Sequence, residues 1–209
     1  MRRSHGFAGP RELRRLLGSR FLVMALAAAA VVAAALVVLG PPGAPADGDA
    51  RDGSGDTRWG PLSAADRSLL AKVRQAGLWE MPAGQQAQQR ATSPRVKEVA
   101  DTIMEQHMML DEDVRRVAGR LGVLLPSEPN ADQKGWLAEM SRKFGADYDQ
   151  TFVLRLRAAH GKVFGVIATV RAGTQNSEIR AFAERALKYV NTHMTLLEST
   201  GLATKAALS

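Results

Sequence analysis

The chain has 209 residues, enough for one domain of ordinary size and a short appendage. It has no cysteine, which excludes disulfide bonds, thiolate nucleophiles and cysteine-based metal sites. Its formal charge of +7 does not indicate nucleic-acid binding, because residues 1–20 hold six arginines against one glutamate, and the rest of the chain holds 22 basic and 20 acidic side chains.

An uncharged apolar stretch, rich in Ala, Val and Leu, occupies residues 21–39. Its 19 residues approach the roughly 20 that a helix needs to cross a bilayer. Residues 1–20 are basic and no Lys or Arg follows the stretch until Arg51, so the positive-inside rule places the N-terminus in the cytoplasm. We therefore expect a basic cytoplasmic leader at 1–20 and a transmembrane or signal-anchor helix at 21–40. This predicts a single-pass protein of the cell membrane whose C-terminal domain is extracytoplasmic.

Residues 41–60 predict a flexible linker, because they are mostly Gly, Pro, Asp, Ala and Ser and have no periodic apolar pattern. Within them, Ala44-Pro45-Ala46 has the spacing of small residues that is typical of a signal-peptide cleavage site. Cleavage near Ala46 would release a secreted domain, and this alternative stands beside the retained anchor.

From Ser63 onward the apolar residues recur with the period of a helix, and no stretch alternates as a strand does. The pattern predicts an all-α, antiparallel four-helix bundle over residues 61–200, followed by a tail at 201–209. Ser93-Pro94 indicates a helix start, Gly122 indicates a helix end, and Pro82 predicts a kink. The expected long helices cover about residues 63–91, 93–121, 146–171 and 179–197, and a short connecting helix covers about 132–144.

Each of the four long predicted helices carries a polar residue on its otherwise apolar face: Glu80, His107, His160 and His193. Such a position normally holds an apolar side chain, because burying a polar group without a partner costs about 1–3 kcal/mol. The four residues lie 12, 14, 13 and 16 residues from the two predicted turns at one end of the bundle. At about 1.5 Å per residue this is roughly 18–24 Å, so we expect them to form one layer.

Three imidazoles and one carboxylate are a suitable donor set for a transition metal. We therefore take Glu80, His107, His160 and His193 as candidate ligands of a single Cu or Zn ion. The alternative is a metal-free network in which neutral imidazoles donate to Glu80 and to one another and fix the register of the helices.

Residues near the histidines in the sequence bear on the choice between a bound metal ion and a metal-free network. Four methionines would favour copper if they faced the layer, although methionine also fills gaps in apolar cores: Met104, Met108, Met109 and Met194. Asp111, four residues after His107, is either a partner that orients this imidazole or a solvated surface charge. Asp149 is expected to be a carboxylate near the start of the third long helix.

Several short motifs follow one another in a characteristic order: Glu80, Glu105-Gln106-His107, Leu121-Gly122-Val123 with Pro126, Gly145-Ala146-Asp147-Tyr148-Asp149, Ala159-His160 with Phe164, and Ala181-Phe182 through His193. In order and spacing, residues 64–200 resemble the exported ferritin-like bundles grouped as domain of unknown function 4142. The resemblance implies a ferritin-like four-helix fold on an exported or membrane-attached chain, and it implies no activity. Met81-Pro82 and Lys188 depart from the family pattern.

The wider ferritin-like class suggests a di-iron oxidase, whose site uses two Glu-x-x-His pairs and two further carboxylates. Met104 and Val190 stand three residues before His107 and His193, so neither pair exists. We therefore expect a membrane-anchored, non-enzymatic bundle with a metal-binding layer. The alternative is a metal-free structural or envelope-interaction domain, and a ferritin-like oxidase is third. The sequence indicates neither a protein partner nor an oligomeric state.

Overall fold

The computed structural model describes residues 55–203, which form two short strands and five helices. The predicted leader, the predicted transmembrane or signal helix and the linker as far as residue 54 lie outside the described residues, as do residues 204–209 of the tail. No helix within 55–203 is long and apolar enough to cross a membrane. The strands are β1 (Gly55–Thr57) and β2 (Gly60–Leu62), and the helices are α1 (Ala64–Arg90), α2 (Pro94–Leu121), α3 (Ala131–Met140), α4 (Gly145–Gly173) and α5 (Ser177–Glu198).

The described part of the chain is mostly helical, as predicted, and local signals set the ends of its helices. At the start of α2 the Ser93 hydroxyl accepts a hydrogen bond from the backbone N–H of Val96 at 3.3 Å, with Pro94 in the first turn. The same helix ends at Gly122, whose φ of 65° is in the left-handed region that glycine adopts at little cost. Pro82 lies inside α1, which continues to Arg90.

Before the first helix, β1 and β2 pair as an antiparallel hairpin, which the sequence pattern of residues 55–62 does not predict. This hairpin docks on the turn before α5. The Asn176 side-chain amide donates to Thr57 Oγ1 and to the Gly60 carbonyl, each at 3.0 Å. The backbone N–H of Ser177 donates to the Trp59 carbonyl at 2.8 Å. These bonds order the end of the predicted linker against a distant part of the chain.

Each of the four long helices packs on two of the others. The first of them, α1, packs on α2 and α4, and α5 packs on the same two helices. The short α3 packs on α1 and α4. Residues 91–93 and 174–176 are the only links between α1 and α2 and between α4 and α5, so the chain reverses direction at both places.

The buried apolar residues form two clusters. The first includes Leu62, Leu69, Val73, Leu110, Val114, Ile167, Ile179, Phe182 and Val190, and the second includes Trp79, Ala83, Val99, Ile103, Phe152, Leu156 and Leu197. Along α2, His107 lies between Ile103 of the second cluster and Leu110 of the first. His160 lies between Leu156 and Ile167 in the same way. The predicted polar layer therefore lies where the two clusters meet.

Candidate metal centre

The structure brings together all four of the polar residues that the sequence singles out. Glu80, His107, His160 and His193 come from α1, α2, α4 and α5, and they are only 3, 3, 2 and 0% exposed. A polar side chain this deeply buried must find hydrogen-bond or metal partners inside the protein. The geometry of the layer shows what those partners are.

Distances within the layer match those between the ligands of one metal ion. Glu80 Oε2 lies 3.1 Å from His107 Nε2 and 3.4 Å from His160 Nε2, and His160 Nε2 lies 2.9 Å from His193 Nδ1. Nitrogens at about 2.0–2.1 Å from a tetrahedral zinc ion are roughly 3.3 Å apart. One nitrogen from each histidine can be chosen so that all three are within 4.8 Å of one another. Glu80 joins this set through its contacts with His107 and His160.

The orientation of the three rings leads to the same conclusion. Their centroids are 5.0 Å (His160–His193), 5.1 Å (His107–His193) and 6.2 Å (His107–His160) apart. Centroids of imidazoles on one tetrahedral ion are about 5 Å apart, given the metal–nitrogen distance of about 2.0–2.1 Å. A single ion can therefore reach all three imidazoles without a large movement of the helices.

Hydrogen bonds on the outer side of the layer decide which nitrogens are free. His160 Nδ1–H donates to the Leu156 carbonyl at 2.8 Å, and His193 Nε2–H donates to Gln106 Oε1 at 3.0 Å. In the neutral imidazoles, His160 Nε2 and His193 Nδ1 are then bare and face each other at 2.9 Å. Two lone pairs at this distance repel each other unless they share a metal ion or a proton. The proton is present when His193 carries it on Nδ1 and the Gln106 amide is turned to donate to Nε2.

His107 supplies a further unsatisfied nitrogen to the layer. Its Nε2 contacts Glu80, whereas its Nδ1 is buried and has no hydrogen-bond partner among the described residues. A cavity of about 10 Å³, the space of one water molecule or ion, is lined by Glu80, His107 and His160 together with apolar side chains. The layer therefore has a nitrogen that makes no hydrogen bond, His107 Nδ1, and a cavity large enough for one water molecule or ion.

Burial and charge set the protonation states of the layer. Burial by itself raises the pKa of Glu80, but the charges of His160 and His107 and the hydrogen bond from His107 outweigh it and hold the pKa below its ordinary value. Burial lowers the pKa of His160, against the opposing effect of Glu80. Burial, reinforced by His107 and His160, lowers the pKa of His193 to about 2. An ionised carboxylate and neutral imidazoles are the forms that bind a metal.

The methionines do not strengthen the case for copper. Met108 and Met109 are 52 and 51% exposed, so they neither face the layer nor fill the core. Met104 is half-buried and packs against Gly84 of α1. Met194 is half-buried against the first apolar cluster. The donors that meet in the layer are therefore nitrogen and oxygen.

The two aspartates near the layer in the sequence have other partners. Asp111 pairs with Arg74 and, at 2.9 Å, with Arg115, so it is an ion-pair partner between α1 and α2. Asp149 is buried and accepts hydrogen bonds from the backbone N–H groups of Thr92 at 3.2 Å and Ser93 at 2.9 Å. Although it lies near the start of α4, it therefore holds the turn that precedes α2.

Gln106 is the residue of the site that sequence reasoning missed. It is polar and half-buried on α2, and its carbonyl oxygen contacts His193 of α5. Its position directly before His107 is the only local signal, because the contact with His193 spans 87 residues. It is also part of the Glu105-Gln106-His107 motif.

The fold and the site together define the class of protein: it is a mostly helical domain with a buried layer of three histidines and one glutamate. The family model for Domain of unknown function (DUF4142) matches residues 54–199. The chain therefore belongs to this family, as the order of its motifs predicts. No curated protein and no solved structure matches it.

Proposed function

We propose that this chain is a membrane-anchored, extracytoplasmic, ferritin-like four-helix bundle that binds one transition-metal ion in its central layer. The ligands are His107, His160, His193 and Glu80. The observation that carries the proposal is the pair of bare nitrogens, His160 Nε2 and His193 Nδ1, which face each other at 2.9 Å. A metal ion removes their repulsion and uses both lone pairs.

The donor set favours a zinc or copper(II) ion. Imidazole nitrogen and carboxylate oxygen suit both ions, and no thioether or thiolate takes part. The carbonyl of Leu156 holds His160 by its other nitrogen, as is common for histidines that bind a metal. With three nitrogens and one oxygen the tetrahedral shell is closed, which is typical of a structural rather than a catalytic site.

The test is the metal content of the full chain, purified in a non-ionic detergent and exposed to Zn²⁺ or Cu²⁺ before dialysis. We expect one ion per chain, retained by the His5→Ala variant, which removes the one histidine outside the layer. We expect the ion to be lost from His160→Ala and from His160→Gln, with the helix content checked by circular dichroism. A wild-type chain without metal, or a folded His160 variant with an unchanged metal content, would overturn the proposal.

The membrane location rests on the charge asymmetry around residues 21–39. The basic residues before this apolar stretch and the absence of basic residues directly after it support an N-terminal tether with the helical domain outside the cytoplasm. The alternative is secretion after cleavage near Ala46. Extraction of isolated membranes with alkaline carbonate separates the two, because an anchored chain stays in the pellet and a cleaved one does not.

A second candidate function is a metal-free structural or envelope-interaction domain. It is favoured by the hydrogen bonds that connect Leu156, His160, His193 and Gln106, which form a nearly complete network once a proton occupies the His160–His193 contact. In this case the apolar double variant His160→Leu/His193→Leu should be as stable as the wild type or more so. A marked loss of stability on exposure of the wild type to a chelator would argue against it.

A further inference from the structure

Glu80 also lines a second, larger cavity, which opens on the surface. It lies between α1, α3 and α4 and has a volume of about 200 Å³, room for a small organic molecule rather than a single ion. Trp79 and Trp136 form part of its wall, and Lys72 and Lys162 are among its polar lining residues. We call this cavity the α1–α3–α4 cleft.

The charge of the cleft is net positive, because two lysines line it against one carboxylate. Lys72 of α1 and Lys162 of α4 are exposed, and neither has an acidic partner among residues 55–203. Glu80 is the only acidic residue that lines the cleft, and its Oε2 is already within reach of His107 and His160. Two lysine ammonium groups at a partly enclosed cavity attract an anion, because the low-dielectric walls strengthen their field.

Hydrogen-bond donors add to this preference. Asn130 and Gln133 both line the cleft and form the capping box of α3. Asn130 Oδ1 accepts from the Gln133 backbone at 3.0 Å, and Gln133 Oε1 accepts from the Asn130 backbone at 2.9 Å. Both acceptor oxygens are therefore used, whereas the two NH₂ groups remain available as donors.

The aromatic wall of the cleft suits a flat apolar group. Trp79 is almost completely buried and Trp136 is half-buried, and their rings meet edge to face with centroids 5.2 Å apart. An aromatic ring of a ligand can extend such an arrangement and gain both apolar burial and favourable ring geometry.

We infer that the α1–α3–α4 cleft is a binding site for a small aromatic or planar carboxylate. The carboxylate lies toward Lys72 and Lys162, with the amides of Asn130 and Gln133 as further donors, and the planar group lies against Trp79 and Trp136. Glu80 is the one proposed metal ligand that lines the cleft, and it takes no part in holding the carboxylate, so this inference does not depend on the metal.

The experiment is a titration of the full chain with benzoate, followed by the indole N–H signals of its tryptophans in NMR spectra. We expect benzoate at millimolar concentration to shift the signals of Trp79 and Trp136 and to leave that of Trp59 in place, since Trp59 does not line the cleft. Benzyl alcohol, which has the ring but no charge, should bind at least tenfold more weakly.

Variants of the lysines test the charge directly. The double variant Lys72→Gln/Lys162→Gln should weaken benzoate binding at least tenfold, whereas Lys188→Gln, which removes an exposed lysine of α5 outside the cleft, should leave it unchanged. The inference is overturned if benzoate moves neither indole signal, if benzyl alcohol binds equally well, or if the double variant binds benzoate like the wild type.

Discussion

At the scale of single residues, the layer depends on groups that hold its ligands as much as on the ligands themselves. Among residues 55–203, no backbone carbonyl accepts from His193, and Gln106 alone holds its Nε2. When Gln106 Oε1 accepts from Nε2–H, Nδ1 is left bare, so this hydrogen bond selects the form of His193 that can bind a metal. This assigns to Gln106 a positioning role, since it contacts His193 and belongs to no ligand set.

We predict that Gln106→Ala lowers the metal affinity about 10–100-fold, because loss of an outer hydrogen bond releases the ring and its proton position. Gln106→Glu keeps an oxygen acceptor and should restore most of the affinity. Competition with a fluorescent zinc chelator measures both effects. Glu105→Ala, an exposed neighbour, is the matched control. Wild-type affinity in Gln106→Ala would mean that His193 is held by other contacts.

At the scale of helices, the close approach of α1 and α2 requires a glycine. A Cβ added at Gly84 would lie 2.9 Å from the Ala100 carbonyl oxygen and 3.0 Å from Met104 Cβ. The first of these atoms belongs to the backbone, so it cannot move without a shift of the helix. The small residue at position 84 therefore sets the separation of the two helices that supply Glu80 and His107.

We predict that Gly84→Ala destabilises the domain although alanine is the better helix former. The steric cost in a packed interior is about 1–3 kcal/mol, which exceeds the gain of about 0.5–1 kcal/mol from helix propensity. Gly165→Ala is the matched control, because Gly165 lies inside α4 and a Cβ there meets nothing within 4 Å. Urea denaturation should show a lower free energy of unfolding for the first variant and a higher one for the second. Equal effects would contradict the steric argument.

At the scale of the whole molecule, local signals in the sequence predict the helices. The features that they do not predict, the hairpin and the contact of Asp149, depend on residues far apart in the chain. Ser93-Pro94 and Gly122 delimit α2 to the residue because capping chemistry is local. The layer was predictable because two short turns fix the depth of residues on neighbouring helices. The hairpin was not, since its strands have three residues each and depend on Asn176, 119 residues after Thr57. Likewise, the hydrogen bond by which Asp149 holds the turn before α2 spans 57 residues to Thr92.

The position of the layer between the two apolar clusters leads to a prediction for the whole molecule. An ion bound there is held by α1, α2, α4 and α5 at once, so it binds the folded chain and not the unfolded one. Zn²⁺ at about 100 times its dissociation constant then adds roughly 2.7 kcal/mol to the free energy of unfolding. For a domain of this size we expect a rise in Tm of about 5–10 °C, measured by circular dichroism.

Two controls make this shift specific to the layer. A chelator should reverse it, and His160→Ala should show no shift at the same Zn²⁺ concentration, whereas His5→Ala should behave like the wild type. If Zn²⁺ binds without raising Tm, the ion binds the folded and the unfolded chain equally well. Its ligands are then outside the layer, for example in an exposed group of carboxylates. The four helices would then be held together at this depth by hydrogen bonds alone, with a proton instead of a metal ion between His160 and His193.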